Sequence, residues 1–328
     1  MNKKTSKVFF LADVDYVFLD QSVLNDGLDE IMDFLIRDTR LSLNFLVVTS
    51  TENKSLDILS SISHFDTNSA NNLYDAIMNS ETRYGGINSL HVRELINNYY
   101  AKGKYTIFPN VYIKDTSKSS ENDSLEDSKS ESYVEVKNMV FFKDKEAIEL
   151  TDEETKGVNF LRNKIKNATL TIECDGGYFT IETLESKMKL KSKLNIDQLN
   201  VNGNVGAEIV YYGCKDNLDN ADVLKSISKK AEKEVESYIT KAFNKSKKYN
   251  YDFLGLGNYI YKNNYKYFDF ENKDWNKDGL NKLNLKYNID VSLYKQGNLR
   301  GETSFDLHGQ KTAQAQLEHT GIEFQPAD

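Results

Sequence analysis

The chain has 328 residues, of which 39% are hydrophobic and 28% charged, a globular composition long enough to bury two sizeable cores. A net charge of −8 argues against a generic nucleic-acid binder, whose phosphate contacts need clustered Lys and Arg. No stretch reaches the roughly 18 apolar residues of a membrane-spanning helix.

The opening Met1-Asn2-Lys3-Lys4 is basic but lacks the apolar region of a signal peptide. Val8–Phe10 and Tyr16–Leu19 read as strands. Gly27–Ile36 reads as a helix, with Leu28, Ile31, Met32, Leu35 and Ile36 at three- and four-residue spacing. Leu43–Val48 is a continuous apolar run, the form of a strand covered on both faces, so a β-α-β unit is expected. Helices follow near Asn72–Met78 and Ser89–Tyr100, separated by Gly85-Gly86. Tyr105–Ile113 reads as a strand that Pro109 assigns to a sheet edge. Asp115–Ser132 is Ser, Asp, Glu and Lys with a single Leu125, too polar to offset its ordering entropy, and is expected to be a disordered linker or a long hairpin connection.

Beyond it, Tyr133–Phe142 is a strand, and Thr151-Asp152-Glu153-Glu154 is a capping box opening a helix. Thr169–Glu173, Tyr178–Lys193 and Asn200–Tyr212 give an antiparallel meander. A long helix from about Asp222 to Lys248 carries one apolar stripe, from Val223 and Leu224 to Ile239 and Ala242. A shorter helix from Asp252 and a closing strand over Lys282–Tyr294 complete the pattern. The fold class is α+β, multi-domain, with mixed and antiparallel sheets flanked by helices.

The chemistry-bearing residues are sparse. Asp274-Trp275-Asn276-Lys277-Asp278-Gly279 matches the first half of a calcium loop, but the bidentate acid at position twelve is replaced by Leu285 and position nine is Lys282; a polar turn is expected instead. Gly255-Leu256-Gly257 lacks the third glycine of a dinucleotide fingerprint and follows no strand, so these glycines are assigned to close backbone packing. His64, His91, His308 and His319 share no ligand spacing and are expected on the surface. Cys174 and Cys214 form no CxxC or Cys/His pattern and read as ordinary strand residues, with a meeting across a sheet as the alternative. The long helix has eight Lys against four acidic residues, either a solvated face compensating the helix dipole or a site for an acidic partner or anionic lipid. No cofactor, metal or catalytic constellation is assigned.

Met139-Val140-Phe141-Phe142-Lys143-Asp144, followed by Leu150-Thr151-Asp152-Glu153-Glu154, resembles the start of the C-terminal domain of the Ger(x)C spore germination proteins. Gly157 to Lys164 is similar to the helix that follows in that family, and Asn195-Ile196 with Glu208-Ile209 falls where its paired strands run. Most specific is Tyr251-Asp252-Phe253-Leu254-Gly255-Leu256-Gly257 with Ile260-Tyr261, then Trp275, then the strand to Tyr294 and Gly297. Lys7 to Phe10, Phe34 to Asp38 and Asn44 to Val48 resemble the middle of the family's first domain.

The resemblance implies a lipoprotein on the outer face of the spore inner membrane, assembled with integral-membrane A-type and B-type subunits into a receptor for nutrient germinants. It implies a non-enzymatic subunit, with Glu154, Glu208, Asp252, Gly255, Gly257 and Trp275 as structural motif positions. The expected divisions are 1–114 for the remnant of an N-terminal domain, 115–132 for the linker, 133–300 for the C-terminal domain and 301–328 for a tail without family counterpart. The family's signal peptide, lipid-bearing cysteine and earlier first-domain sequence have no match here, so an N-terminal truncation is expected and the chain itself carries no membrane anchor. The expected function is assembly in nutrient-triggered germination; the alternative is a small-molecule sensor that holds the germinant itself.

Overall fold

The computed structural model describes residues 14–38, 40–62, 69–103, 106–115, 132–192 and 197–294. The expected strand at Val8–Phe10, most of the polar segment at 115–132, the tail at 301–328, and His64, His308 and His319 lie outside the described residues.

The first sheet contains β1 (Tyr16–Asp20), β2 (Leu46–Ser50), β3 (Phe108–Asp115), β4 (Ser132–Lys143) and β5 (Glu146–Glu149), in that spatial order. β1, β2 and β3 run parallel, whereas β3–β4 and β4–β5 are antiparallel. Every residue of β2 is buried, as its unbroken apolar run requires. Its alternate side chains enter two cores. Val47, with Phe45 just ahead of the strand, packs with Met32, Leu35 and Leu95 from α2 (Asp29–Arg37) and α5 (Val92–Tyr100), and with Leu24 from α1 (Gln21–Asp26). Leu46 and Val48 pack with Ile58, Leu73 and Ile77 from α3 (Ser55–Ile62) and α4 (Ser69–Tyr84).

Pro109 does not lie on an edge strand, contrary to expectation. β3 is internal, and the ladder tolerates proline because its register shifts between Pro109 and Val111, while β2 meets β3 through a single residue pair, Thr49 with Asn110. Lys114 pairs with Tyr133 and Asp115 with Ser132, so the residues flanking 116–131 are neighbours in one sheet. The expected division at 115–132 therefore falls inside the first sheet, which β4 and β5 complete. His91 bridges Leu46 and is half-buried rather than on the surface.

The second sheet contains β6 (Thr169–Cys174), β7 (Gly177–Ser192), β8 (Gln198–Tyr212) and β9 (Asn284–Tyr294). β6, β7 and β8 form the expected meander, and β9 lies parallel to β8 from Gln198–Asn284 to Glu208–Tyr294. Parallel neighbours need a crossover, which α7 (Ala221–Lys248) supplies. Its stripe of Ile227, Ala231, Val235, Tyr238, Ile239 and Ala242 is buried as the spacing predicts, against the sheet and α6 (Asp152–Leu161).

One core joins the two sheets. Met139, Phe141 and Ile148 of the first sheet share it with Phe179, Ile181, Val201 and Val205 of the second and with the α7 stripe. Of the two readings of the cysteines the structure has the alternative, a meeting across the sheet: Cys174 and Cys214 are disulfide-bonded, with Cα atoms 5.7 Å apart. The antiparallel meander brings the end of β6 beside the exit of β8, a proximity that a sequence separation of 40 residues does not reveal.

Candidate functional site

The segment after α7 gathers four of the six motif residues. Tyr249 closes the helix by donating to the Lys245 carbonyl, and Asn250, at a φ of 46°, turns the chain through the left-handed region that Asn tolerates. Asp252 follows with no exposed surface. Its Oδ1 accepts the backbone N–H groups of Gly255 at 2.8 Å and Leu256 at 3.1 Å. Its Oδ2 accepts from the Gly257 N–H at 2.5 Å and the Trp275 indole Nε1 at 2.9 Å. The carboxylate thus caps α8 (Leu256–Asn263), holding first-turn N–H groups that the helix cannot bond itself. Burial pushes the Asp252 pKa up, an effect these four donors oppose.

The helix begins at Leu256 rather than at Asp252, because Gly255 has a φ of 78° and breaks the helical path. Gly257 permits close packing, and its neighbour is the indole: a Cβ there would lie 2.6 Å from Cδ1 and Nε1 of Trp275. Trp275 is 3% exposed, with Phe268 edge-on at 5.2 Å and Phe270 stacked at 5.6 Å.

Further bonds tie this node to the first sheet. Asn276 Oδ1 accepts the Asp252 N–H at 2.8 Å, while Nδ2 donates to the Gly103 carbonyl at 3.2 Å. The Tyr251 hydroxyl accepts the Thr106 N–H and donates to the Thr106 carbonyl, just ahead of β3. The Tyr251 ring stacks on Phe141 of β4 at 4.9 Å, and burial pushes its hydroxyl up to about 12. Arg162 donates to the Phe253 carbonyl and Lys143 to that of Tyr249. Asp252 and Trp275 were expected as structural motif positions, whereas Asn276, Tyr251 and Arg162 were not assigned these roles. Their partners are 145 residues away for Tyr251 and 173 for Asn276, so no local spacing announces them.

The calcium half-loop is used internally. Asp274 Oδ1 accepts the Asn276 N–H at 3.0 Å, Trp275 enters the core, and Asn276 joins the node, within one wide turn over Trp275–Gly279. Among the described residues no group of three or more His, Cys, Asp or Glu is arranged to hold a metal ion.

The other two motif residues lie elsewhere. Glu154 completes the capping box with Thr151 and bonds Lys245 Nζ at 2.6 Å, both side chains being 15% exposed. The acidic start of α6 thereby meets the basic end of α7, each charge complementing the nearby helix dipole. Lys241 pairs with Glu153 at 2.5 Å, and Lys247 donates to the Asn281 carbonyl, so much of the lysine-rich end serves the protein's own contacts. Glu208 is half-buried on β8, between Glu182 of β7 and Tyr294 of β9, away from the node.

The comparisons with known proteins agree with this architecture. Residues 137–297 match the family model described as "Spore germination B3/ GerAC like, C-terminal", and residues 1–113 match "Spore germination protein N-terminal domain". The chain belongs to the Ger(x)C spore germination family. It is similar to "Spore germination protein KC" of Bacillus subtilis (strain 168), 22% identical over 304 residues that cover 90% of this chain and 74% of the relative. The solved structure titled "Crystal Structure of the GerBC protein" shares its fold, with a TM-score of 0.55 at 14% identity, covering 85% of this chain and 78% of that one. Both halves of this Ger(x)C protein are matched, and the C-terminal match contains the entire Asp252–Trp275 node.

Proposed function

We propose that this Ger(x)C protein is a non-catalytic subunit of a spore germinant receptor, working by assembly with integral-membrane A-type and B-type subunits at the outer face of the spore inner membrane. The family's role in germination supplies the process, and the geometry of the node supplies the mode of action. The observation that carries the reading is the use made of the most family-specific residues. Asp252 bonds the Trp275 indole and three backbone N–H groups, Gly255 turns the chain at a φ of 78°, Gly257 makes room for the indole, and the node ties the segment after α7 to the first sheet. A motif used in this way makes a rigid scaffold to present surfaces, not a group poised to react. In this reading membrane attachment is through an N-terminal lipid, as the family resemblance implies; none of the described helices is long and apolar enough to cross a membrane.

The test is removal of the gene from its host, followed by germination with nutrient mixtures. Loss of the response to at least one nutrient, restored by wild type but not by a node-disrupted variant, supports the reading; an unchanged response to every nutrient overturns it. A sensor reading draws on one feature, a polar notch of about 490 Å³ on the second sheet, lined by Glu185, Asn204, Gly206, Asp290, Ser292 and Tyr294. Calorimetric titration with amino acids, sugars and nucleosides separates the two, since saturable heat from the isolated chain favours the sensor.

A further inference from the structure

We infer that Cys174 and Cys214 are joined outside the cytosol by a thiol–disulfide oxidoreductase, and that their bond latches the lead-in of α7 to the second sheet. The site is built by backbone before it is closed by sulfur. Cys174 ends β6 and pairs with Gly177 across the tight Asp175-Gly176 turn. As the chain leaves β8 it runs back along this hairpin: the Gly213 N–H donates to the Tyr178 carbonyl at 2.9 Å and the Lys215 N–H to the Asp175 carbonyl at 3.1 Å. A Cβ at Gly177 would lie 2.4 Å from the Gly213 carbonyl oxygen, so only glycine lets the two backbones approach this closely. These contacts place the two cysteines at a Cα separation of 5.7 Å, inside the range a disulfide spans without backbone movement.

The bond sits where the crossover begins. Asn220, whose side chain caps α7 by accepting the Asp222 N–H at 2.9 Å, lies six positions beyond Cys214. The disulfide therefore fixes the point from which α7 crosses from β8 to β9.

Forming it removes two protons and two electrons from the thiols. The oxidoreductase's own disulfide accepts them: one cysteine thiolate attacks it to give a mixed disulfide, and the second displaces the partner, leaving a dithiol on the oxidoreductase. Cytosolic thiol buffers keep such pairs reduced, which places the mature chain in an oxidising compartment. This inference rests on the cysteine geometry and not on the proposed receptor role. A chain that supports germination with free thiols would leave that role standing and sink the latch.

The test is acid trapping of the full chain from its native host, then reaction with a maleimide-polyethylene glycol before and after reduction. No adduct before reduction and two after it are expected; two adducts before reduction overturn the inference. The latch is read separately by hydrogen exchange on purified oxidised and reduced protein. Exchange at Gly213 to Asn220 should accelerate about tenfold or more on reduction, with the centres of β7 and β8 unchanged. Equal rates in the two forms, or acceleration spread evenly over the sheet, would overturn the latch even if the bond is present.

Discussion

Replacing Asp252 with Asn tests the node with little change of volume. The carboxylate has two donors on each oxygen: Gly255 and Leu256 on one, Gly257 and the Trp275 indole on the other. An amide keeps one acceptor oxygen and turns an NH₂ group toward the other pair, so two buried N–H groups lose their acceptor whichever way it flips. At about 1–3 kcal/mol for each unsatisfied donor, Asp252→Asn should destabilise by roughly 2–6 kcal/mol. Trp275 is the chain's one tryptophan and is packed inside the node, so its fluorescence in a urea titration reports this region directly. With a slope near 2 kcal/mol/M, the midpoint should fall by about 1–3 M. Asp274→Asn is the matched control. Asn there can still accept the Asn276 N–H, and the change should stay within about 0.5 kcal/mol. A midpoint for Asp252→Asn that coincides with the control would refute the node as the tie between the segment after α7 and the first sheet.

Gly257→Val places branched carbon against the indole and should cost about 1–3 kcal/mol through overpacking, seen as a lowered melting temperature by circular dichroism. Glu154→Ala removes the capping box and leaves Lys245 without its acid; about 2–4 kcal/mol of destabilisation in chemical denaturation is expected, and Lys245→Ala on the same background should add little. Replacing both Cys174 and Cys214 with Ser opens a loop of 40-residue separation, whose closure is worth about 4 kcal/mol on chain-entropy grounds, so the urea midpoint of the double variant should match that of reduced wild type. At physiological salt the chain should not sediment with phosphatidylglycerol-rich vesicles, because Lys241 and Lys245 already hold Glu153 and Glu154. Co-sedimentation that survives high salt would reveal an apolar insertion surface.

Much of the fold was legible where the information is local. Thr151 and Glu154 announce a capping box, the stripe from Ile227 to Ala242 announces a buried helix face, and the meander follows from strand patterns broken by Asp175-Gly176-Gly177. A helix near Asp252 was legible, although it starts at Leu256, and Gly257 was legible as a point of close packing, since glycine within a helix is a local signal. What they touch was not. Trp275 lies 23 residues beyond Asp252, and Gly103 lies 173 before Asn276; such pairings are fixed by how two sheets share a core, not by periodicity. Pro109 misled for a related reason: proline disfavours a continuous ladder, and only the three-dimensional register shows the bulge that accommodates it. The disulfide was legible only as the alternative reading, a meeting across a sheet, because two cysteines without a motif carry no spacing signal; their proximity follows once β6, β7 and β8 are aligned.

The central claim is that this Ger(x)C protein acts through assembly, and the most direct measurement is affinity recovery of the tagged full chain from detergent-solubilised spore inner membranes, with its companions identified by mass spectrometry. The account predicts co-recovery of one A-type and one B-type integral-membrane subunit in near-equal amounts with the wild-type chain, and their loss with Asp252→Asn under conditions that unfold the node. Recovery of the intact wild-type chain without either subunit, from spores whose nutrient response depends on it, would contradict the account.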